Sequence, residues 1–318
     1  MLYDITLIAI GFVLVAKGGE LFVDSSIQIG RVLRIPRFVI GGTLVSLATT
    51  APELTTSALA SAVEDTGMAL GNAIGSCICN IGLIVGIVAL IMPVEVDRAD
   101  FVKRSAWMIA GGVLIVVFSW DLSMGRPYGA VLLVGAGAYL LWDVVGMIRA
   151  RAASDAVDVE EDGSEGLGGA VGWFSLGGVL LVIGGTLLVK SGQGLAETFG
   201  IPSATIGFSV IAIGTSVPEL VTGVTAARKG VPDLALGNIL GANILNLFLV
   251  VGLSGTITPL DLKPWYQWYA FPWLGLFFVA IVGVVLKNGI VRRAAGIGLL
   301  LMYVLYTVGL VTMPMVGL

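Results

Sequence analysis

Glu53 is the one acidic residue between Pro36 and Val63, inside an apolar stretch that reads Thr49-Thr50-Ala51-Pro52-Glu53-Leu54. Glu219 stands in the same setting, Thr215-Ser216-Val217-Pro218-Glu219-Leu220, 166 positions further on (219 − 53). A carboxylate in such apolar company costs several kcal/mol unless it faces a bundle interior or a cation. Two glutamates introduced by the same residues read as halves of one site.

The flanking residues indicate what such a site would hold. Proline lacks an N–H and crowds the preceding turn, so Pro52 and Pro218 release the carbonyls of Ala48 and Gly214 from a helical ladder. At membrane depth, freed carbonyls are tolerated where they line a cavity or bind an ion. Helical steps of three and four align Ser46, Thr49, Thr50 and Glu53 in one copy and Ala212, Thr215, Ser216 and Glu219 in the other. The next apolar run adds Asn72, Ser76 and Asn80 at steps of four, matched by Asn238, Ala242 and Asn246. The chain has no histidine, and its two cysteines, Cys77 and Cys79, diverge on a helix, so the donors are oxygens. Such donors favour hard cations. Two glutamates neutralise one Ca2+, and equally two Na+ or two H+; a site able to carry either load suits exchange.

The composition requires that these residues sit in a membrane protein. Hydrophobic residues make up 57% of the 318 and charged residues only 12%, and mean hydropathy is +1.01; soluble domains carry about 25% charged residues. The 45 glycines fit close helix packing in lipid. Apolar runs long enough for a bilayer of about 30 Å fall near 5–29, 37–63, 67–93, 104–120, 127–148, 170–196, 203–227, 232–258, 266–286 and 294–314. The expected fold is an all-α polytopic membrane protein with ten transmembrane helices. The first run lacks a basic lead and a cleavage site, so it is expected to be a retained helix rather than a signal peptide.

With the N-terminus outside, thirteen of the loop Lys and Arg residues fall on the cytoplasmic side, from Arg31, Arg34 and Arg37 through Lys103 and Arg104 to Arg292 and Arg293, and only Arg126 and Lys263 on the other. This bias places both termini outside. The aromatic cluster Trp265, Tyr266, Trp268, Tyr269 and Trp273 then falls at the outer interface. The acidic, glycine-rich stretch 150–169 reads as a solvated cytoplasmic linker between residues 1–149 and 170–318; its acids lack the spacing of a calcium-binding loop.

A shift of 166 overlays Gly18–Pro93 on Gly184–Pro259 without a gap and with about a third of the positions identical. Each half holds five spans, so the second enters the membrane from the opposite side. The expected architecture is therefore two inverted five-helix repeats, with repeated motifs at about 37–93 and 203–259, a midplane site between them, and alternating access by rocking one part against another.

Gly41–Ser61 with Gly71-Asn-Ala-Ile-Gly-Ser-Cys-Ile-Cys-Asn80, and Gly207–Ala227 with Gly237-Asn-Ile-Leu-Gly-Ala-Asn-Ile-Leu-Asn246, resemble the two α-repeats of the calcium/cation antiporters, above all the prokaryotic sodium/calcium exchangers. The resemblance spans the whole ten-helix plan. It implies an antiporter of the cell membrane that exchanges Ca2+ for Na+; the neutral Asn246 makes H+ the alternative counter-ion. It also implies Glu53 and Glu219 as the central calcium ligands, helped by the Thr49 and Thr215 carbonyls, with Thr50, Ser216, Ser76 and Asn80 completing flanking sodium sites. The chain departs from the family where serine and aspartate are usual in the second copy. Ala242 and Asn246 stand there, removing a hydroxyl and a negative charge.

Other features have structural readings. Thr56 and Thr222 are expected to bond their own backbone, Asn72 and Asn238 to cap or pack near helix starts, and Lys17, Glu20, Asp24 and Lys190 to pair or reach toward the interface. Both thiols are expected to pack. No cofactor, nucleic acid or enzymatic activity is expected, because the chain has no basic patch, no nucleophile with a base and no histidine-bearing metal site. A cation channel is a remote alternative, since channels more often surround an axis with identical subunits.

Overall fold

The structure, a computed structural model, describes residues 2–154, 166–198 and 212–312. These residues are helical almost throughout, as they must be where no water satisfies the backbone. In chain order they form α1 (Leu2–Leu33), α2 (Arg37–Thr49), α3 (Ala51–Ala62), α4 (Thr66–Ile91), α5 (Arg98–Phe118), α6 (Arg126–Ser154), α7 (Leu167–Thr198), α8 (Ala212–Thr215), α9 (Val217–Arg228), α10 (Pro232–Ile257), α11 (Tyr266–Asn288) and α12 (Arg293–Thr312). Eight of the described helices are long and apolar enough to cross a membrane. The second expected span, 37–63, is instead two shorter helices that meet at Thr50. The seventh lies partly outside the described residues, and its described part breaks at Ser216.

Local chemistry sets these boundaries. The Asp65 side chain accepts from the Met68 N–H at the start of α4, and Asp97 accepts from Ala99 and Asp100 at the start of α5. Gly289, at φ +68, ends α11 in the left-handed conformation that glycine adopts without strain. Pro52 and Pro218 sit in the first turns of α3 and α9, where a missing N–H costs least.

Buried fraction separates core from periphery. The apolar stretches of α4 and α10 are 72% and 94% buried, whereas those of α6, α7 and α12 are each 22% buried, leaving their outer faces to lipid. α1 and α7 lie against each other along their length through small residues. A Cβ on Gly18 would stand 2.9 Å from the Gly177 carbonyl, and one on Gly177 would stand 2.9 Å from the Gly18 carbonyl. Only glycine permits that approach. α6 packs on the C-terminal part of α10, and α12 on the C-terminal part of α4.

The connections gather at two ends. At one, Arg37 meets Asp233 at 3.2 Å, Lys229 meets Asp24 at 2.6 Å, and strand β1 (Val94–Glu95) pairs with β4 (Ile290–Val291) in an antiparallel ladder. At the other, β2 (Ser123–Met124) pairs with β3 (Leu260–Asp261), the Thr66 hydroxyl donates to the Asp261 carbonyl at 3.3 Å, and the Tyr266 hydroxyl donates to the Gly67 carbonyl at 2.8 Å. The described loops joined by these contacts fall into the same two groups that the charge count separated.

Several expectations change. Arg104, counted among the loop cations, is 2% exposed inside α5 and bonds Asp143 of α6. α5 begins six residues before the expected span (104 − 98), so Arg104 sits well inside the helix. Of the aromatic cluster, Trp268 is exposed, but Tyr266 is 1% exposed and packs inward. α6 runs to Ser154 and α7 begins at Leu167, so the linker is entered and left within helices; residues 155–165 of it lie outside the described residues.

Candidate functional site

The site is assembled where the two broken helices face each other. Thr50 (φ −77, ψ −5) and Ser216 (φ −85, ψ 7) are the corresponding break points, and Glu53 and Glu219 lie in the first turns of the helices that follow. The positive end of a helix dipole favours a carboxylate there.

The two halves are joined by reciprocal contacts. The Thr49 hydroxyl donates to Asn238 Oδ1 at 3.1 Å, and the Thr215 hydroxyl donates to Asn72 Oδ1 at 3.0 Å. A shift of 166 turns each contact into the other. The Ser216 hydroxyl donates to Glu53 Oε1 at 3.3 Å, and Ser76 Oγ lies 3.5 Å from Thr215 Oγ1. Asn72 also donates to the Glu53 carbonyl at 3.3 Å and to Ser57 Oγ at 3.0 Å. Helices α2 and α10 cross closely enough that a Cβ on Gly41 would stand 2.3 Å from the Leu234 carbonyl.

Glu53, Glu219, Ser76, Asn80 and Asn246 are all 0% exposed, and Thr49, Thr50, Thr215 and Ser216 at most 4%. Buried polar atoms in proteins are nearly always hydrogen-bonded. Here Glu53 Oε2, both oxygens of Glu219, Thr50 Oγ1, Asn80 Oδ1 and both polar atoms of Asn246 have no partner within the protein. Two carboxylates surrounded by acceptor oxygens, with no lysine or arginine among their hydrogen-bonding neighbours, are the donor set of a hard cation. Among the described residues no three of His, Cys, Asp and Glu come together, so a cluster suited to a softer metal is absent there.

Asn80 and Asn246 each begin a π-helical turn, Asn80–Val85 and Asn246–Val250. Such turns loosen the ladder and recur at functional sites. Asn80 Nδ2 donates to Asn243 Oδ1 at 3.0 Å, which directs its free Oδ1 away from that bond. Of the remaining expected site residues, Ser46 donates to the Thr43 carbonyl at 3.0 Å, so its own helix accounts for its hydrogen bond. Ala212 is placed only by its backbone, in α8.

Asn72 and Asn238 do more than cap or pack within their own helices: each accepts a hydrogen bond from the threonine of the other copy beside the candidate site, and their repetition as Gly-Asn in both copies was the signal for it. Asn243 is a further member that sequence reasoning missed. Its counterpart is Cys77, so no repeat pointed to it. Thr222, expected to bond its own backbone, is buried with no partner for its hydroxyl. Lys17 pairs with Glu20 at 2.9 Å and Asp24 with Lys229, as expected, but Lys17 and Glu20 lie midway along α1 rather than toward its end.

The family model described as sodium/calcium exchanger protein matches residues 3–145 and 169–312. The chain belongs to the sodium/calcium exchanger family. It is a membrane exchanger by family, not an enzyme. It is 32% identical to the sodium/calcium exchanger MaX1 of Methanosarcina acetivorans, covering 95% of this chain and 97% of that one. It is 34% identical to the inner membrane protein YrbG of Escherichia coli, covering 83% of each. A solved structure of the sodium-calcium exchanger NCX_Mj superimposes with a TM-score of 0.81 at 27% identity, covering 95% of this chain and 97% of that one. The fold and the repeated motifs are thus those of a cation exchanger.

Proposed function

We propose that this chain is a secondary antiporter of the cell membrane that exchanges Ca2+ for Na+ by alternating access. In this reading ten helices form two inverted five-helix repeats, 1–149 and 170–318, with both termini outside and the linker in the cytoplasm. The reciprocal Thr49–Asn238 and Thr215–Asn72 contacts support the repeat, because a site shared by equivalent halves places the same bond on both sides.

The observation that carries the reading is the pair of fully buried glutamates with unpartnered oxygens, Glu53 and Glu219. Left bare in a low dielectric they are costly, and one Ca2+ or two Na+ neutralise them. Either load suffices and both cannot be held, so binding of one expels the other. Glu53 and Glu219, with the backbone carbonyls at the helix breaks, take the divalent ion. Thr50, Ser216, Ser76, Asn80 and Asn246 supply the neutral oxygens for monovalent ions on its flanks. Thr49, Asn238, Thr215 and Asn72 tie the halves together, so rocking one half moves both sides of the site.

Proteoliposomes loaded with Na+ and diluted into Na+-free medium test this. Calcium uptake that collapses when the Na+ gradient is removed supports it. Uptake indifferent to Na+, or driven only by a pH gradient, sinks it.

A further inference from the structure

Helix α3 carries Glu53, Ser57 and Ser61 at steps of four, so the three side chains share one face, and each residue is 0% exposed. The end of α10 carries Asn246, Ser254 and, just past it, Thr258, again at multiples of four. The two faces meet. The Thr258 hydroxyl donates to the Ser61 carbonyl at 2.9 Å. Ser57 donates to the Ala69 carbonyl at 3.1 Å and accepts from Asn72, which itself bonds the Glu53 carbonyl. A file of oxygens therefore leads from Glu53 to the end of the molecule where Thr66 meets Asp261 and Tyr266 meets Gly67.

Two members of this file depart from the usual behaviour of hydroxyls in membrane helices. Ser and Thr there bond the carbonyl one turn back, as Ser25, Ser26, Ser119 and Thr307 do here. Ser61 Oγ and Ser254 Oγ bond nothing within the protein, although their residues are 0% and 1% exposed.

The positions equivalent to Ser57, Ser61, Ser254 and Thr258 carry no side-chain oxygens in the other half, although α9 does hold one buried unpartnered hydroxyl, Thr222, the counterpart of Thr56. The shift of 166 replaces Ser57 and Ser61 by Gly223 and Ala227, and Ser254 and Thr258 by Val88 and Met92. A Cβ on Gly223 would stand 3.2 Å from methyls of Ile84 and Val88, so α9 and α4 close that seam with hydrocarbon.

We propose that the seam of Ser57, Ser61, Ser254 and Thr258 is a cation passage. A partly dehydrated Ca2+ or Na+ passes along its hydroxyls between Glu53 and the end of the molecule carrying Glu64 and Asp261. Hydroxyl oxygens replace the water that a hard cation sheds, so the loss of hydration is spread over several steps. At the four equivalent positions the opposite seam supplies no ligands, so it admits ions only when its helices separate. The two gates of one exchanger thus differ in kind, a difference that the shared Pro-Glu and Gly-Asn motifs conceal. This inference rests on the exchanger reading for its transported ions but on packing alone for its route.

The double variant Ser61→Ala/Ser254→Ala removes two unpartnered hydroxyls, so its thermal midpoint should be unchanged or higher. In proteoliposomes its Ca2+ turnover should fall about five-fold or more, with equilibrium Ca2+ affinity within about two-fold of the parent. Turnover within two-fold of the parent overturns the passage. A second measurement does not depend on which ion is carried. Ser61→Cys, in a background with Cys77→Ala and Cys79→Ala, should react with the membrane-impermeant cationic thiosulfonate MTSET applied from the side bearing Glu64 and not from the other. No reaction from either side, or reaction only from the opposite side, overturns the route. Labelling from the Glu64 side in a protein that exchanges no Ca2+ for Na+ would sink the exchanger reading and leave the passage standing.

Discussion

The hydroxyl of Ser216 donates to Glu53 Oε1 at 3.3 Å, linking the helix break before α9 to the carboxylate on α3. Ser216 is also the residue from which α9 begins, three positions before Glu219. One hydroxyl thus touches one glutamate and sets the approach to the other. Replacing Ser216 with Ala removes a charge-assisted hydrogen bond worth about 1.5–3 kcal/mol. Apparent Na+ affinity should fall by about ten-fold or more, while Ca2+, held chiefly by both carboxylates, should be affected less. Sodium and calcium titrations of exchange on the same preparation check this, and equal losses for both ions contradict it.

Asn246 is 0% exposed and neither of its polar atoms has a partner in the protein. With only Glu53 and Glu219 ionised, one Ca2+ or two Na+ leave the site neutral, and a third Na+ would be held at net charge +1. If three were exchanged, each cycle would move one charge, and 100 mV would contribute about 2.3 kcal/mol. The neutral side chain favours two-for-one exchange that is insensitive to voltage. Asn246→Asp should raise apparent Na+ affinity or make flux depend on valinomycin-set potentials. Superimposable curves for the two proteins would show that residue 246 does not control the monovalent load.

Glu53 and Glu219 were legible in the sequence because a carboxylate in an apolar run is costly and because the costly arrangement occurs twice. Pro52 signalled freed carbonyls but not the break itself: 37–63 read as one span, and the structure divides it at Thr50. Asn243 was hidden because its counterpart is a cysteine, and the π-helical turns at Asn80 and Asn246 because they depend on tertiary packing rather than on local residue preference. Arg104 was misplaced for a related reason. Next to Lys103 at the edge of an apolar run it looks like a loop charge, and only the longer helix capped by Asp97 carries it inward.

Arg104 donates to Asp143 Oδ1 and, at 2.7 Å and 3.1 Å, to the Tyr139 hydroxyl and the Gly42 carbonyl. Gly42 lies in the π-helical turn Gly41–Val45 of α2, so the pair secures the helix that carries Thr49. Breaking a buried pair from one side costs about 3–5 kcal/mol, whereas replacing both members with apolar residues is often neutral. Arg104→Met alone should lower the melting temperature sharply, and Arg104→Met with Asp143→Leu should recover much of the loss. A double variant as unstable as the sum of the singles would contradict this reading.

Glu64 and Glu95 are exposed and belong to the two opposite groups of connections. Single cysteines at these positions, in a background lacking Cys77 and Cys79, should label from opposite sides of sealed vesicles, with position 95 on the cytoplasmic side. Labelling from one side would show that α4 does not cross the membrane and would break the ten-span topology.

The claim that Glu53 and Glu219 form one site is tested most directly by equilibrium 45Ca2+ binding to the purified protein, with Na+ as competitor. The parent should bind one Ca2+ per chain and release it as Na+ rises. Glu53→Gln and Glu219→Gln should each abolish that binding while keeping the fold, because one carboxylate cannot neutralise Ca2+ in a buried site of low dielectric. Saturable, Na+-displaceable Ca2+ binding that survives in either single variant would show that the two glutamates are not halves of one site.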